Sequence, residues 1–452
     1  MLIRFTVSNF MSFKDETEFN MLPSKGNGSR KLQEHIHKTN SGIEVLKTAA
    51  IYGANAAGKS NLVRAIDYLK DVVFGFENLL MPQSKRFRNN NLYKDKPTIF
   101  RLEYEFKEKH YDYAIEIFKG KIQQEWLYLI DSVLQEKEQV LYRRENKEVT
   151  FGNYFDKSTD LSYIKKYLSK ELKDSQTVLE ACFGNIEDND ILDNFMYAFG
   201  RLTIVTPDAK SELYSESILI GDTSIDFAKN LLKNSKTGIE DLIVNEIEAD
   251  NFFSYSDSDL KKELIDELES YLESTEQKEA YVSFQQSSQI NVLRKKGDKY
   301  FVSFINTKHY NSDSLYDFDE ESDGTNRLFE LSPAFDQLIF EGDVVYIIDE
   351  LERSMHPLLA KELLRMYSLA DTKNSQLIFT THESHLLDND LLRRDEIWFT
   401  EKKEDGSTEF YPLSNFNPRG DKVLERGYLE GRYGGIPYLG DFSKLVIEEN
   451  QD

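Results

Sequence analysis

The segment Gly53-Ala54-Asn55-Ala56-Ala57-Gly58-Lys59-Ser60 decides the fold class, because it matches the pattern G-x-x-x-x-G-K-[ST] at every fixed position. An apolar run, residues 48–52, precedes it. The apolar residues after it recur at helical spacing: Leu62, Ala65, Ile66 and Leu69. A strand, a glycine loop and a helix N-terminus offer backbone N–H groups and a favourable dipole to phosphate oxygens. The sequence therefore predicts a nucleotide site in which Lys59 reaches the β- and γ-phosphates and Ser60 ligates Mg²⁺. The alternative is a glycine-rich turn without a ligand.

A second motif is the apolar run of residues 344–348, which ends in two carboxylates, Asp349 and Glu350. A buried strand of an open α/β sheet brings such residues to the carboxyl edge, where these sheets bind ligands. We expect Asp349 to hold Mg²⁺ through its water shell and Glu350 to polarise the water that attacks the γ-phosphate. The alternative is a strand that ends in an acidic surface pair without a catalytic role.

Two further segments carry candidate site residues. His382 follows the strand pattern of residues 377–381, where it could contact the γ-phosphate and orient the attacking water, although a lone histidine is more often structural. Residues 321–327 precede a helical pattern, so Ser322 and the backbone at Gly324 could donate to a phosphate at a helix N-terminus. Taken alone, this segment is equally an ordinary helix N-cap and turn.

Composition narrows the class of protein. The chain has 452 residues, with 56 Lys and Arg against 80 Asp and Glu, and a net charge of −24. It contains neither an apolar run long enough for a membrane span nor a secretory signal pattern. One cysteine, Cys182, excludes a disulfide framework and a cysteine-built zinc site. We therefore expect a cytoplasmic protein without membrane contact.

The acidic charge argues against coating of DNA without sequence preference, because phosphate binding needs clustered positive charge. Five basic residues nevertheless form a candidate patch for direct DNA binding: Lys85, Arg86, Arg88, Lys94 and Lys96. The alternative is a solvated basic loop, since residues 82–97 have the polar composition of a mobile loop.

Hydrophobic periodicity predicts four parts. Residues 1–22 and 100–151 alternate apolar and polar positions as strands do, and residues 158–272 are mostly helical in pattern. The last third alternates strand and helix signals, which indicates βαβ units and a parallel sheet. We predict a core of two lobes (1–80 and 281–452), a β-subdomain (81–157), and a helical insertion (158–280) that serves as a lid or assembly surface.

These motifs, in this order, resemble the ATP-binding-cassette (ABC) ATPase superfamily: phosphate loop, signature segment, acidic Walker-B strand end and switch histidine. The start Asn9-Phe10-Met11-Ser12-Phe13 is similar to that of the RecF/SMC/Rad-type branch, where the residues that match Met11 and Ser12 lie near the nucleotide base. More specifically, the chain resembles the RloA/AbiL-type ATPases of bacterial anti-phage systems, a group that includes the ATPase subunit of PARIS (AriA). The segments behind this resemblance are residues 53–61, 321–325, 349–352, 356–357 and 431–437.

The resemblance implies an α/β fold of the ABC-ATPase head type, with a mixed, largely parallel core sheet, an antiparallel β-subdomain and a largely helical insertion. It implies ATP and Mg²⁺ as cofactors, Glu350, His382 and Lys59 as catalytic residues, and Ser60 and Asp349 as metal ligands. The expected ATP-binding residues are Gly53, Asn55, Ala56, Ala57, Gly58, Lys59, Ser60, Asn61, Ser322, Gly324 and Thr325. Ser322 and Gly324 are expected to complete the site of a partner copy, which implies a head-to-tail dimer or a higher homo-oligomer.

The signature segment departs from Leu-Ser-Gly-Gly-Gln, with Asp323 before Gly324 and Thr325 after it. We therefore expect slow or regulated hydrolysis. In the first functional hypothesis, the chain is the sensor and scaffold of an anti-phage system. It holds a separate nuclease-like effector subunit until a phage trigger protein or damaged DNA appears, and its acidic surface suits protein partners. In the second hypothesis, it is a RecF-like repair ATPase that acts directly on DNA. The third, a transporter ATPase, is disfavoured by the long insertion between Lys59 and Asp349.

Overall fold

The computed structural model describes residues 1–24, 32–39, 41–76, 82–130, 138–156, 159–182, 191–207, 212–220, 225–274, 280–286, 289–416 and 424–437. The chain divides into two units. The first contains Met1–Pro207, Leu338–Glu352 and Lys361–Asp452, and the second contains Asp208–Gln337 and Arg353–Ala360. The boundaries predicted from the sequence fall instead after residues 80, 157 and 280, and they stay predictions.

The strands and helices are numbered in chain order. The strands are β1 Leu2–Ser8, β2 Thr17–Asn20, β3 Ile36–Lys38, β4 Glu44–Leu46, β5 Thr48–Gly53, β6 Thr98–Phe106, β7 Lys109–Phe118, β8 Lys121–Ile130, β9 Glu138–Glu145, β10 Glu148–Phe151, β11 Leu202–Val205, β12 Ile239–Glu248, β13 Tyr281–Gln286, β14 Gln289–Lys296, β15 Lys299–His309, β16 Leu315–Tyr316, β17 Val345–Ile348, β18 Gln376–Thr381, β19 Ile397–Lys402 and β20 Thr408–Pro412. The α-helices are α1 Lys59–Phe74, α2 Pro82–Lys85, α3 Thr159–Glu171, α4 Val178–Cys182, α5 Leu192–Gly200, α6 Glu212–Ile220, α7 Asp226–Asn234, α8 Ala249–Phe252, α9 Ser258–Ser274, α10 Asp323–Asp336, α11 Pro357–Leu369 and α12 Leu424–Leu429.

The core sheet of the first unit has the strand order β11-β17-β18-β5-β19-β20. Its first five strands run parallel, and β20 pairs antiparallel with β19. Strands β5, β17 and β18 are buried along their whole length, which explains their continuous apolar sequences. Because these three strands are adjacent and parallel, their carboxyl ends meet at one edge of the sheet. The phosphate loop, Asp349 and His382 follow directly at that edge.

A second sheet of the first unit is antiparallel, in the order β10-β9-β8-β7-β6-β1-β2. The apolar alternation of its strands buries one row of side chains, and these belong to the same hydrophobic cluster as helix α1: Phe5, Val7, Phe100 and Leu102 with Leu62, Ile66 and Leu69. Gly120 has φ of 74° in the turn between β7 and β8, a conformation that favours glycine. This turn joins β7 and β8 into an antiparallel hairpin.

The second unit contains another antiparallel sheet, in the order β12-β15-β14-β13, with β16 paired to β15. Helix α9 contributes to a common core with this sheet: Leu264 and Leu268 with Val282, Phe284, Leu293 and Val302. Strand β12 lies in the segment that we expected to be mostly helical. Its apolar residues Ile239, Leu242, Ile243 and Ile247 recur at helical spacing. Pairing of β12 with β15 over its whole length overrides that local pattern.

The predicted fold class, α/β with a mixed core sheet, antiparallel sheet and helical additions, is confirmed. Within the described residues, no helix has the length and apolar character that a bilayer crossing requires.

Residues 82–97 were expected to be a mobile loop, and that expectation was wrong. The segment contains α2 and a 3₁₀ turn at Asn91–Asp95, and it buries the side chains of Phe87 and Tyr93. The buried amide of Asn9 donates to the carbonyl oxygens of Tyr93, Lys96 and Pro97 at 2.9–3.2 Å. These bonds hold the segment against the turn at Asn9 and satisfy three of its backbone carbonyl groups.

Candidate functional site

The phosphate loop connects β5, which ends at Gly53, to α1, which begins at Lys59. Gly58 has φ of 120°, and a Cβ atom there would lie 2.2 Å from the hydroxyl oxygen of Thr408. A Cβ atom at Gly53 would lie 2.1 Å from the hydroxyl oxygen of Thr400. Both glycines are therefore required by close approach of the neighbouring strands β19 and β20, and at Gly58 by backbone conformation as well.

A polar cluster supports the loop from the side of β20. The hydroxyl of Thr408 lies 2.7 Å from the carbonyl oxygen of Ala57 and 2.7 Å from the hydroxyl of Ser12. The Asn61 amide also donates to Ser12, at 2.7 Å. Ser12 and Asn61 were singled out from the sequence, whereas Thr408 was not. The cluster supports the shape of the loop through contacts within the protein, which is how a site is preorganised.

Lys59 is buried at the base of the loop. Its ammonium donates to the carbonyl oxygens of Gly53 at 2.8 Å and Ala54 at 3.3 Å, and it lies 3.4 Å from Nδ1 of His382. Burial lowers the pKa of Lys59 to about 8, although the carboxylates of Asp349, Glu352 and Glu350 oppose this shift. The charge that phosphate binding needs is thus present near neutral pH but only weakly favoured.

The acidic strand end follows β17. Asp349 is buried and accepts a hydrogen bond from the hydroxyl of Thr380, and the same hydroxyl accepts one from the backbone N–H of Glu350 at 2.8 Å. Glu350 has φ of 53°, which turns its side chain away from the strand direction. Thr380, on the neighbouring strand β18, therefore positions both acidic residues.

His382 follows β18 and lies beside Lys59. Its backbone N–H donates to the Glu352 carboxylate at 2.7 Å. Burial and the neighbouring Lys59 charge lower the pKa of His382, with the carboxylates of Glu352, Glu350 and Asp349 acting in the opposite direction. These effects favour the neutral imidazole, whose Nδ1 can accept a hydrogen bond from the lysine.

The phosphate loop, Lys59, Glu350 and His382 line one cavity of about 540 Å³, whereas Asp349 is not among its lining residues. Its lining is formed by Ala54, Asn55, Ala56, Ala57, Gly58, Lys59, Ser60, Asn61, Arg64, Glu350, His382 and Lys402. Arg64 and Lys402 were not singled out from the sequence. Arg64 lies on α1 about one turn after Ser60, whereas Lys402 reaches the cavity through the pairing of β19 with β5. Together with Lys59 they give the cavity three cationic side chains, as an oligophosphate ligand requires.

The signature residues Ser322, Gly324 and Thr325 belong to the second unit. The Ser322 hydroxyl caps α10 by accepting a hydrogen bond from the backbone N–H of Thr325 at 3.2 Å. A Cβ atom at Gly324 would lie 2.8 Å from the carbonyl oxygen of Ser354, so this position requires glycine. Within a single chain the segment is the N-cap and turn that its sequence also allowed.

The donor set fits a Mg²⁺ ion bound together with phosphate. Magnesium prefers oxygen ligands and is usually held by one or two protein groups plus substrate phosphates and water. Ser60 lies in the first turn of α1 and lines the cavity, and Asp349, next to Glu350 in the chain, offers a buried carboxylate. The described residues contain no group of three or more His, Cys, Asp or Glu side chains suited to a metal. The ion would therefore be held by Ser60 and Asp349 together with phosphate oxygens of the nucleotide.

The position of Thr380 leads to a first prediction. Thr380→Val removes the hydroxyl and both of its hydrogen bonds without changing the side-chain shape, so Asp349 and Glu350 lose their positioning. We expect kcat for ATP hydrolysis to fall by roughly 10–100-fold while KM changes little. Steady-state kinetics measures the two constants, and Thr380→Ser, which keeps the hydroxyl, should restore most of the rate. An unchanged kcat in Thr380→Val would contradict the positioning role.

The lowered pKa of Lys59 leads to a second prediction. A bound phosphate favours the ammonium form, so binding above pH 8 must be accompanied by proton uptake. We expect ATP affinity to be constant below about pH 7.5 and to fall by up to about tenfold per pH unit above about pH 8. Titration calorimetry in buffers of different ionisation enthalpy measures both affinity and proton uptake. Equal affinity at pH 7 and pH 9 would show that Lys59 does not titrate in this range.

A parallel sheet with a glycine-lysine phosphate loop, an acidic strand end and a histidine at one edge defines a P-loop nucleoside triphosphatase. The chain belongs to the family described as "AAA domain, putative AbiEii toxin, Type IV TA system", whose sequence pattern matches residues 49–155 and 162–388. It is therefore an ATPase of this AAA type. No curated protein sequence matches the chain significantly.

Several solved structures have a similar course of the backbone. A structure titled "Crystal structure of the SmcHead bound to the C-winged helix domain of ScpA" is 13% identical, with 91% of this chain and 97% of that chain covered and a TM-score of 0.44. The SMC head domain from Thermotoga maritima is 14% identical, with 91% and 98% covered and a TM-score of 0.38. An SMC head with an extended coiled coil from Pyrococcus furiosus, bound to the C-terminal domain of ScpA, is 14% identical, with 95% and 98% covered and a TM-score of 0.38. At this level of similarity, nothing about ligands or partners carries over.

Proposed function

We propose that this ATPase binds and slowly hydrolyses ATP as the sensor and scaffold subunit of a bacterial anti-phage defence system, where it controls a separate, nuclease-like toxic effector. The observation that carries the ATPase part is the cavity in which Lys59, Glu350 and His382 converge on the phosphate loop. The family description, which names a toxin and a toxin–antitoxin system, supports the defence part. The net charge of −24 suits protein partners.

In this proposal each residue has one role. The loop from Gly53 to Asn61 holds the phosphates through backbone N–H groups, and Lys59 neutralises them. Ser60 and Asp349 hold Mg²⁺, which supplies charge neutralisation on the phosphate oxygens. Glu350 accepts a proton from the attacking water, and His382 orients that water at the γ-phosphate.

The proposal includes a composite site. Ser322 and Gly324 of one copy face the γ-phosphate bound by a second copy, so two copies close head to tail on ATP and larger homo-oligomers build on this dimer. The helix N-terminus at Ser322 supports this role, because the dipole of a helix favours an anion at its N-terminus. Slow hydrolysis is supported by the signature residues Asp323 and Thr325, which depart from Leu-Ser-Gly-Gly-Gln.

The test of the defence role is a purification of Glu350→Gln from the native host in the presence of ATP, with mass spectrometry of the proteins that accompany it. A stoichiometric nuclease-like subunit would support the proposal, and a phage protein recovered only after infection would identify the trigger. Nucleic acid recovered without a protein partner would contradict it.

A second candidate function is that of a RecF-like repair ATPase acting directly on DNA. The cluster of Arg86, Lys94 and Lys96 around one cavity favours it. This function requires tight, salt-sensitive DNA binding that is lost on charge reversal at Lys85, Arg86 and Arg88. DNA affinity that is absent, or unchanged by the reversal, would exclude it.

A further inference from the structure

A second cationic cavity lies on the first unit, outside the ATP cavity. It has a volume of about 190 Å³ and is lined by Arg86, Lys94, Lys96, Thr98, Phe118 and Lys119, among others. These residues come from three separate places: the end of α2, the 3₁₀ turn before β6, and the hairpin between β7 and β8. Folding thus brings together four cations of a chain whose net charge is −24.

Only part of the basic patch suggested by the sequence contributes to this cavity. The Lys85 ammonium lies over the ring of Tyr68, 4.9 Å from its centroid. The Arg88 guanidinium folds back onto the carbonyl oxygen of Ser84, at 2.9 Å from Nε. Neither of these two side chains lines the cavity. Arg86, Lys94 and Lys96 are instead joined by Lys119, a residue that no sequence pattern connected with them.

The cations around the cavity are not balanced by acids. Asp95 lies 3.6 Å from Lys119, in a pair whose side chains are both mostly exposed, so their attraction is weak. Lys96 contacts the ring of Tyr93, at 3.9 Å from its centroid. Among the contacts of the described residues, Asp95 is the one acidic partner of these four cations. Uncompensated positive charge in a partly enclosed space attracts anions.

The backbone that carries these cations is fixed in place. Asn9, which is 1% exposed, donates through its amide to the carbonyl oxygens of Tyr93, Lys96 and Pro97. Its amide oxygen accepts from the backbone N–H of Phe87 at 3.3 Å, and its carbonyl oxygen accepts from the hydroxyl of Thr98 at 3.0 Å. One buried side chain thus anchors the chain on both sides of Lys94, which reduces the entropy that ligand binding would cost.

We propose that this cavity binds an anion with more than one phosphate group, at a site separate from the ATP cavity. Four cations suit a ligand with several negative charges, and the guanidinium of Arg86 and the ammonium of Lys94 can each donate to phosphate oxygens. Phosphate groups of this kind occur in small phosphorylated molecules and in the backbone of a nucleic acid strand. The inference does not depend on the ATPase and defence function proposed above, because the two cavities share no lining residue. The DNA-binding candidate concerns this same cavity, and the competition experiment below tests it.

The turn that begins at Asn9 also reaches the phosphate loop. Asn9 anchors the cationic segment, and Ser12, three residues later, contacts Asn61 and Thr408 beneath the ATP cavity. The backbone N–H of Met11 in the same turn donates to the carbonyl oxygen of Lys85. A ligand in the cationic cavity is therefore bound to a segment that is in direct contact with the support of the ATP site.

The test is titration calorimetry of the full-length protein with pyrophosphate, in saturating Mg²⁺ and ADP so that the ATP cavity is filled. The variant Arg86→Ala, Lys94→Ala, Lys96→Ala removes three of the four cations. The matched control, Lys166→Ala, Lys170→Ala, Lys173→Ala, removes the same charge from exposed positions on and after α3. We expect saturable binding that the first variant weakens by roughly tenfold or more, and that the control changes by less than about twofold.

Three results would overturn the proposal: no saturable binding of pyrophosphate to the wild-type protein, equal binding in all three proteins, or equal weakening by the control variant. A melting curve for each variant checks that the fold is retained. Competition by a short oligothymidylate then separates the two sources of phosphate. Displacement of pyrophosphate assigns the cavity to a nucleic acid backbone, and its absence assigns the cavity to a small phosphorylated ligand.

Discussion

Glu350→Gln should lower the rate of ATP hydrolysis by roughly 10²–10⁴-fold and leave ATP bound, because the amide keeps the shape of the carboxylate but cannot accept a proton from water. The side chain lines the ATP cavity, and its backbone N–H is fixed by Thr380 at 2.8 Å, so the substitution should not displace it. Single-turnover kinetics with radiolabelled ATP measures the chemical step. Gel filtration in ATP should also show a more stable dimer, since the bound nucleotide persists.

Glu362→Gln is a suitable control for this experiment. Glu362 is an exposed carboxylate on α11, paired with Arg365 at 2.7 Å, so its replacement removes the same charge away from the ATP cavity. We expect wild-type turnover for this variant. Turnover of Glu350→Gln at the wild-type rate would remove Glu350 as the catalytic base.

Lys59→Ala should weaken ATP binding by at least roughly 100-fold, because charge-assisted hydrogen bonds to phosphate contribute about 1.5–3 kcal/mol each. The variant should fold normally. Burial lowers the pKa of Lys59, which means that the protein interior disfavours its charge, so removing the ammonium relieves a cost. Equilibrium binding of a fluorescent ATP analogue measures the affinity, and thermal melting measures the fold.

Lys403→Ala is the matched control for Lys59→Ala. Lys403 is an exposed lysine that lies 3.6 Å from Glu409, and it follows Lys402 without lining the cavity. We expect its ATP affinity to equal that of the wild-type protein. Retained micromolar affinity in Lys59→Ala would refute the assignment of residues 53–60 as a phosphate loop.

The core of the site could be predicted because its determinants are local. The strand, glycine loop and helix around Lys59 lie within residues 48–74, and each element follows from its own hydrophobic period. Asp349 and His382 could be placed because each directly follows an apolar strand. In a parallel sheet the carboxyl ends of such strands share one edge, so proximity follows from topology without any contact being known.

The residues that support the site could not be predicted, because their contacts depend on strand pairings between segments that are far apart in the chain. Thr408 contacts the phosphate loop only because β20 pairs with β19, which in turn pairs with β5. Thr380 carried a weak signal, since a hydroxyl at the end of a strand next to the acidic strand can reach its carboxylate. Lys402 is an ordinary surface cation in sequence, and only the pairing of β19 with β5 brings it to the cavity. Arg64 is different, because it lies on α1 close to the loop.

The basic patch shows that residues adjacent in the sequence need not share one surface in the structure. Lys85, Arg86 and Arg88 are neighbours in sequence, which suggested a common surface. In the structure Lys85 contacts Tyr68 and Arg88 contacts Ser84, while Arg86 faces Lys94, Lys96 and Lys119. Side-chain direction in a short helix and turn separates residues that are adjacent in the chain.

The composite site is the central claim, and one measurement tests it directly: the ATPase rate of an equal mixture of Lys59→Ala and Ser322→Arg, each inactive alone. A mixed dimer pairs the intact phosphate loop of one copy with the intact signature of the other. Random pairing makes half of the dimers mixed, each with one intact site, so we expect about a quarter of the wild-type rate. A mixture no more active than its two components would contradict a site built from two copies.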